Sequence, residues 1–267
     1  GRAVLEPAYV LHHRPYRDSS LLLEILAAGY GRLALIARGA RRPKSRLHGL
    51  LQPFQSLYAS WSMRGELGTL TAVESRAGEG PRGRALISGF YMNELLMRLL
   101  HRHDPHPTLF AVYESALRGL AAPGLHASAE QAILRMFELT LLRELGYGLV
   151  LDREILGGEP IRPEGVYDYY PERGPVRADA AGSRVAETGA EEYVARARPV
   201  RLHGGSLLAL ARGELCDPVQ LSEVKRLMRT VLDGRLGGKP LASRKLFRRG
   251  GRMEANVEPM MKDEGRL

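Results

Sequence analysis

Ile36–Phe54, "IARGARRPKSRLHGLLQPF", carries five cations within nine positions: Arg38, Arg41, Arg42, Lys44 and Arg46. They stand between an apolar run that ends at Ala37 and another that begins at Leu47, and no Asp or Glu falls among them. Gly39 and Pro43 punctuate the run, a composition that gives a loop a shaped backbone. Such a loop, set between a strand and a short helix, projects cations from a rim, and neutralising phosphate asks for little more. The plain alternative is a solvated loop; the density of the charge and the missing acidic neighbours favour the first reading.

Working outward, the first eighty residues break into five short apolar segments, "AYVLHH", "SSLLLEIL", "GRLALIAR", "FQSLYASW" and "LGTLTAVE", separated by Pro15, Gly29–Gly31, Arg64–Gly65 and Gly78. Several are apolar on both faces, which fits a small closed barrel better than an open sheet. Five strands with a helix after the third is the arrangement of an oligonucleotide-binding barrel. The inserted helix is "SRLHGLLQ", with Ser45 as its N-cap. The fold class is therefore α+β: an N-terminal five-stranded OB-fold barrel over 1–80, then an all-α helical domain with a loop-rich insertion.

The period becomes helical after Gly83. Leu86, Ile87, Phe90, Tyr91, Leu95, Met97, Leu99 and Leu100 mark a first helix that "HDPHP" ends, and a second spans about 108–120. For a third, Ser128 and Gln131 form a capping box, Ile133, Phe137, Leu141 and Leu142 supply the stripe, and Gly146 closes it. These make a bundle over 81–156. The stretch 157–200, rich in Gly, Pro and Tyr, reads as a loop-rich subdomain, helices return over 201–250, and 251–267 reads as a flexible tail.

The chain has 267 residues, 39 Lys+Arg against 30 Asp+Glu, and a formal charge of +9, which favours partners dense in phosphate. The excess sits at the ends, 11 basic against 6 acidic in 1–80 and 14 against 8 in 201–267, while 81–200 has 14 against 16. A single cysteine, Cys216, excludes an intrachain disulfide and a cysteine-cluster metal site, and reads as a small buried residue. No apolar run reaches the roughly 18 residues needed to cross a bilayer. The expectation is a cytoplasmic, nucleoid-associated protein with no membrane partner.

Tyr9, Tyr16, Tyr30, Phe54, Tyr58 and Trp61 interleave with the basic segments of the barrel. Most barrel aromatics are core; Tyr16, flanked by Arg14 and Arg17 in a turn, is the best placed to stack on a base. The C-terminal "SRKLFRRGGR" adds Arg244, Lys245, Arg248, Arg249 and Arg252, either a second nucleic-acid contact or a charged tail. His101, His103, Asp104 and His106 invite a zinc reading, but a helix end broken by proline does not hold ligand geometry, and no metal is expected. Phosphate-loop, nucleophile-elbow, HExxH and GxGxxG motifs are absent, and no cofactor or catalytic residue is expected.

The order of three elements is specific: "HHRPYRDSS" with the "GARRPKS" loop, "LLRELGYGLVLD", then "LLALARGEL" and "SRKLFRR". Over about 8–249 the chain resembles the RecO family of bacterial recombination mediators. The resemblance implies an OB-fold followed by a helical domain, and binding and annealing of single- and double-stranded DNA (ssDNA and dsDNA). It also implies contact with the C-terminal tail of single-stranded DNA-binding protein (SSB), and action with RecR in loading RecA in the RecF pathway. It makes Arg38, Arg41, Arg42, Lys44 and Arg46 DNA contacts and adds Arg14 and Arg17.

One departure concerns zinc. Many family members place four cysteines after the ELGY element, whereas this chain has "LDREILGG" and "GPVRADAAGS" there. The subdomain is expected to be held by packing instead, through Tyr167, Tyr169 and Tyr170. A reading of another class makes the chain an adaptor for the acidic SSB tail, held in a groove rimmed by Arg98, Arg102, Arg135 and Arg143, with DNA contact secondary. The residues do not indicate the RecR-binding surface or the oligomeric state.

Overall fold

The computed structural model describes residues 1–178 and 198–249. Five strands, β1 (Arg2–Tyr16), β2 (Ser20–Ala27), β3 (Gly31–Ala37), β4 (Ser56–Arg64) and β5 (Leu67–Ser75), close into a barrel in the order β1-β2-β3-β5-β4. Only β3 and β5 run parallel, and α1 (Leu47–Leu50) lies between β3 and β4. This is the expected OB-fold connectivity.

Burial explains why the strand segments show weak alternation. Ala8 and Val10 of β1 point into the barrel with Leu23, Ile25, Leu33, Leu35, Leu57 and Trp61. Tyr9, on the opposite face, meets the rings of Phe110 and Tyr113 at 5.8 and 5.4 Å. The strand is covered on both sides, so both sets of side chains are apolar. The inserted helix is one turn long and starts after Ser45 rather than at it: Arg46 is the N-cap residue, and the Ser45 hydroxyl accepts the Leu47 N–H at 3.3 Å. Leu47 and Leu50 pack on the barrel core.

The helices are α2 (Ala85–Leu99), α3 (Pro107–Leu120), α4 (Ala127–Glu144), α5 (Gly204–Arg212), α6 (Pro218–Arg235) and α7 (Ser243–Arg249). The expected capping box of α4 does not form, because the helix begins one residue before Ser128 and its N-cap is His126. Its C-terminus follows the sequence: Gly146 takes φ +82°, and the N–H groups of Gly146 and Tyr147 donate to the carbonyls of Arg143 and Leu142. Asp217, followed by Pro218, caps α6 by accepting the N–H groups of Val219 and Gln220.

The segment expected to be loop-rich holds strands. β6 (Val166–Tyr170), β7 (Gly174–Arg177) and β8 (Val200–His203) form an antiparallel sheet in the order β7-β6-β8. Tyr167, Tyr169 and Tyr170 are buried there, as the packing argument required. Four- and five-residue strands between Gly, Pro and charged turns are too short to show a period. Part of that segment, 179–197, and the expected tail 251–267 with Arg252 lie outside the described residues. Cys216 is exposed, not buried, and its thiol donates to the Glu214 carbonyl at 3.4 Å.

The chain divides into two compact units, Gly1–Leu125 with the segment from Pro240, and His126–Lys239. The helices expected as one bundle over 81–156 are thus shared, α2 and α3 with the barrel and α4 with the second unit. The return of α7 to the first unit is fixed by Glu94 of α2, whose carboxylate accepts the N–H groups of Ala242 and Ser243 at 2.7 and 2.9 Å. In the second unit, Glu223 of α6 accepts from the Ser206 hydroxyl and the His203 N–H. Burial alone would raise its carboxyl, but these bonds outweigh it and hold the group below the usual carboxylate range.

Candidate nucleic-acid interface

β3 ends at Ala37, and the chain leaves the barrel through the exposed Arg38. Gly39 takes φ +69°, a left-handed turn that suits glycine. Ala40 is fully buried and joins the barrel core, which pins the loop at its root. The Arg42 N–H donates to the Gly39 carbonyl at 3.1 Å and the Ser45 N–H to the Arg42 carbonyl at 2.9 Å, so the cations ride on two successive turns. Arg38, Arg41, Arg42, Lys44 and Arg46 are all exposed.

Arg41 fastens this loop to the turn between β1 and β2. Its backbone N–H donates to the Ser19 carbonyl at 2.9 Å, and its guanidinium donates to the Arg17 carbonyl at 3.2 Å. Arg17 itself has φ +52°, uncommon for a residue with a side chain, and its guanidinium lies 5.3 Å from the Tyr16 ring centroid. Residues 24 apart in sequence thus share one rim. Among the described residues, no carboxylate forms an ion pair with Arg14, Arg17 or the five loop cations.

Antiparallel partners share a sheet face, so the register places His12, Glu24 and Ala34 in one row, Arg14, Leu22 and Ile36 in the next, and Tyr16 with Ser20 nearest the rim. Leu22 and Ile36 are half-buried, whereas Leu26 and Ala34 on the same face are fully covered. The far end is crossed by 100–106. The His103 N–H donates to the Arg32 carbonyl at 3.0 Å, and the Arg102 guanidinium pairs with Glu24, which Arg32 also contacts at 3.2 Å. Gly31, with φ +69°, lets the Asp104 carbonyl lie where a Cβ would stand. Burial, then the charges of His13 and Arg14, lowers the His12 imidazole to about 4, so it is neutral at neutral pH.

The other expected site residues divide. Tyr9, Phe54 and Trp61 are core, while Tyr30 and Tyr58 are exposed, with Tyr30 edge-on to Trp61 at 5.1 Å. Arg244 and the exposed Lys245 ride on α7 in the barrel's unit; the side chains of Arg248 and Arg249 lie outside what is described. Of the groove cations, Arg135 is buried and grips Glu138, which removes it from any rim. Arg98 reaches Glu94 and the Pro240 carbonyl, Arg102 pairs with Glu24, and Arg143 is exposed. Among the described residues, no group of three or more His, Cys, Asp or Glu is placed to hold a metal, and His106 faces Asp104 at 3.3 Å. No described helix is long and apolar enough to cross a membrane.

Sequence reasoning missed Asn93. The β1–β2 register slips between Val10 and His12, and the buried Asn93 amide donates to the Leu11 carbonyl at 2.8 Å while accepting the Tyr113 hydroxyl at 2.6 Å. A bulge re-aims the strand beyond it, here the half that carries Arg14 and Tyr16. Its only trace in the sequence is a polar residue inside an apolar helical stripe.

Residues 3–78 match the family model for "Recombination protein O N terminal" and 81–245 that for "Recombination protein O C terminal". Relatives named DNA repair protein RecO include that of Nitrosococcus oceani, 46% identical over 92% of this chain and 93% of its own length. That of Nitrosospira multiformis is 43% identical over 92% and 96%, and that of Alkalilimnicola ehrlichii 44% over 97% and 96%.

Proposed function

This chain belongs to the RecO family of DNA repair proteins, and we propose that it acts as a non-enzymatic, DNA-binding mediator of recombinational repair in the RecF pathway. In this reading it binds single- and double-stranded DNA, anneals complementary strands, contacts the SSB C-terminal tail and, with RecR, promotes RecA loading in the cytoplasm. The observation that carries the DNA-binding part is the joining of the cationic loop to the β1–β2 turn by Arg41. It ties the cationic loop to the turn that carries Arg17, and Arg14, Arg17 and the five loop cations are all exposed, with none ion-paired among the described residues. A solvated charge run needs no such fastening.

Binding to such a rim is electrostatic and indifferent to sequence, and its affinity falls steeply with salt. Replacing Arg41, Arg42 and Lys44 together by Ala is expected to weaken DNA binding and lower the slope of log affinity against log salt by about two to three. The fold is expected to stay intact. Unchanged affinity and slope would remove the site. The adaptor reading gains no support from its proposed groove, since Arg98, Arg102 and Arg135 are engaged with Glu94, Glu24 and Glu138; the SSB tail remains a proposed partner on family membership.

A further inference from the structure

We propose that Tyr147, where α4 and α6 end in the His126–Lys239 unit, is the stacking platform of a second single-strand site, with Arg143, Arg235 and Lys239 as its phosphate contacts. The inference rests on the reading of this chain as a mediator that anneals strands, and it gives the second strand a seat.

The first observation is a stack. The Arg235 guanidinium lies 3.7 Å from the centroid of the Tyr147 ring. A contact at the ring edge would hold the group well beyond that distance, so it covers one face. Arg17 on Tyr16 and Arg76 on Tyr58 stand off at 5.3 and 5.8 Å. Tyr147 nevertheless stays 42% exposed, which leaves its other face to solvent.

The second observation is the ground around the ring. Gly146 and Gly148 flank Tyr147, Gly234, Gly237 and Gly238 flank Arg235, and a Cβ at any of the five would meet nothing within 4 Å. Gly146, Gly237 and Gly238 have positive φ, which accounts for them. Gly148 and Gly234 do not, and Gly234 sits in the last turn of α6, where alanine would hold the helix better. Neither backbone conformation nor packing asks for glycine at these two positions. Bare backbone beside an open ring lets a ligand approach closely.

The third is charge. Arg143, one turn before Tyr147, and Lys239 are exposed, and neither they nor Arg235 form an ion pair among the described residues. Asp233 faces Arg229 at 3.8 Å. Cations around a free ring match a strand that brings phosphates and unstacked bases together. A duplex keeps its bases inside, and an acidic peptide would answer the cations without using the ring. Annealing needs two strands with free bases at the same time. The barrel rim serves one, and this platform on the other unit serves the second.

The test uses the full chain. Oligothymidylate carrying 5-iododeoxyuridine is photo-crosslinked to the wild-type protein and the modified residues are mapped by mass spectrometry. An adduct at Tyr147 is expected, and a map without one overturns the platform. Anisotropy titrations at low salt are expected to show two binding steps, two strands per chain. Tyr147→Leu is expected to weaken the second step about tenfold and to slow annealing of complementary oligomers in proportion, with the first step and duplex affinity at wild-type values. Tyr147→Phe, which keeps the ring, is expected to behave as the wild type. One strand per chain in the wild type, or an unchanged second step in Tyr147→Leu, overturns the site. An acidic peptide that displaces the strand with higher affinity assigns the surface to a protein partner and overturns it as well. The Arg41, Arg42 and Lys44 alanine variant is expected to lose the first step and keep the second. If it keeps both, the rim reading fails while the Tyr147 adduct still decides the platform, so the two failures are told apart.

Discussion

The arginines of the barrel rim and two of the His126–Lys239 unit, Arg135 and Arg201, are the same residue in opposite surroundings. In the second unit Arg135 is buried and holds Glu138 through Nε at 2.7 Å and a further N–H, and Arg201 spans Asp168 with two bonds of 2.8 Å. On the rim no described carboxylate meets the cations. An acid supplied by the fold cancels the field of an arginine and makes it a structural member. Where the fold withholds the acid, the field is left for an outside partner. Net charge along the sequence is a blunt guide to this; the pairing pattern is what separates the two uses.

The comparison breaks most visibly at Arg135. Arg135→Ala removes the guanidinium that the buried Glu138 carboxylate accepts from, and is expected to cost about 3–5 kcal/mol in urea unfolding. Arg135→Met with Glu138→Leu is expected to restore most of it, because a buried pair replaced by apolar residues of similar size is nearly neutral. Neither change should alter the salt slope of DNA binding measured on folded protein.

A smaller effect is expected at Asn93. Asn93→Leu removes the donor to the Leu11 carbonyl and the acceptor of the Tyr113 hydroxyl, for about 2–3 kcal/mol, and frees the β1 bulge that aims Arg14 and Tyr16. Unfolding and DNA affinity should therefore both suffer, unlike at Arg135, and an affinity equal to wild type at full folding would separate the bulge from the rim.

His12 sharpens the contrast by pH. The folded imidazole titrates at about 4 against an ordinary 6.5, so as pH falls between these values the unfolded chain takes up the proton first and stability is lost. The loss should reach about 2 kcal/mol after allowance for partial exposure, and His12→Gln should flatten the stability profile across that window. The mildest change is Arg42→Ala: a salt slope lower by about 0.7–0.9, with stability within about 0.5 kcal/mol of wild type.

Much of this was legible in the residues. Turn glycines and prolines between apolar runs located the five strands, and a dense cationic loop with no acid nearby marked the rim. What escaped was long-range. The joining of Arg41 to Arg17 and Ser19 depends on barrel closure, which no local pattern encodes. An outward leucine in "SSLLLEIL" is indistinguishable from an inward one until the register is known. The β6–β8 sheet hid in strands too short for a period, and Arg135 was expected on a groove rim because its acid lies three residues on, as in any exposed helical pair.

The Glu94 cap has a consequence for the order of events during synthesis. Its amide partners, Ala242 and Ser243, lie 148 and 149 residues downstream, beyond the whole His126–Lys239 unit. The barrel can close as soon as β5 leaves the ribosome, but α2 must wait for more than a hundred further residues before its carboxylate finds those amides. At roughly 5–20 residues per second that interval lasts many seconds, during which the cationic rim is already formed and the unit that bears it is not yet sealed.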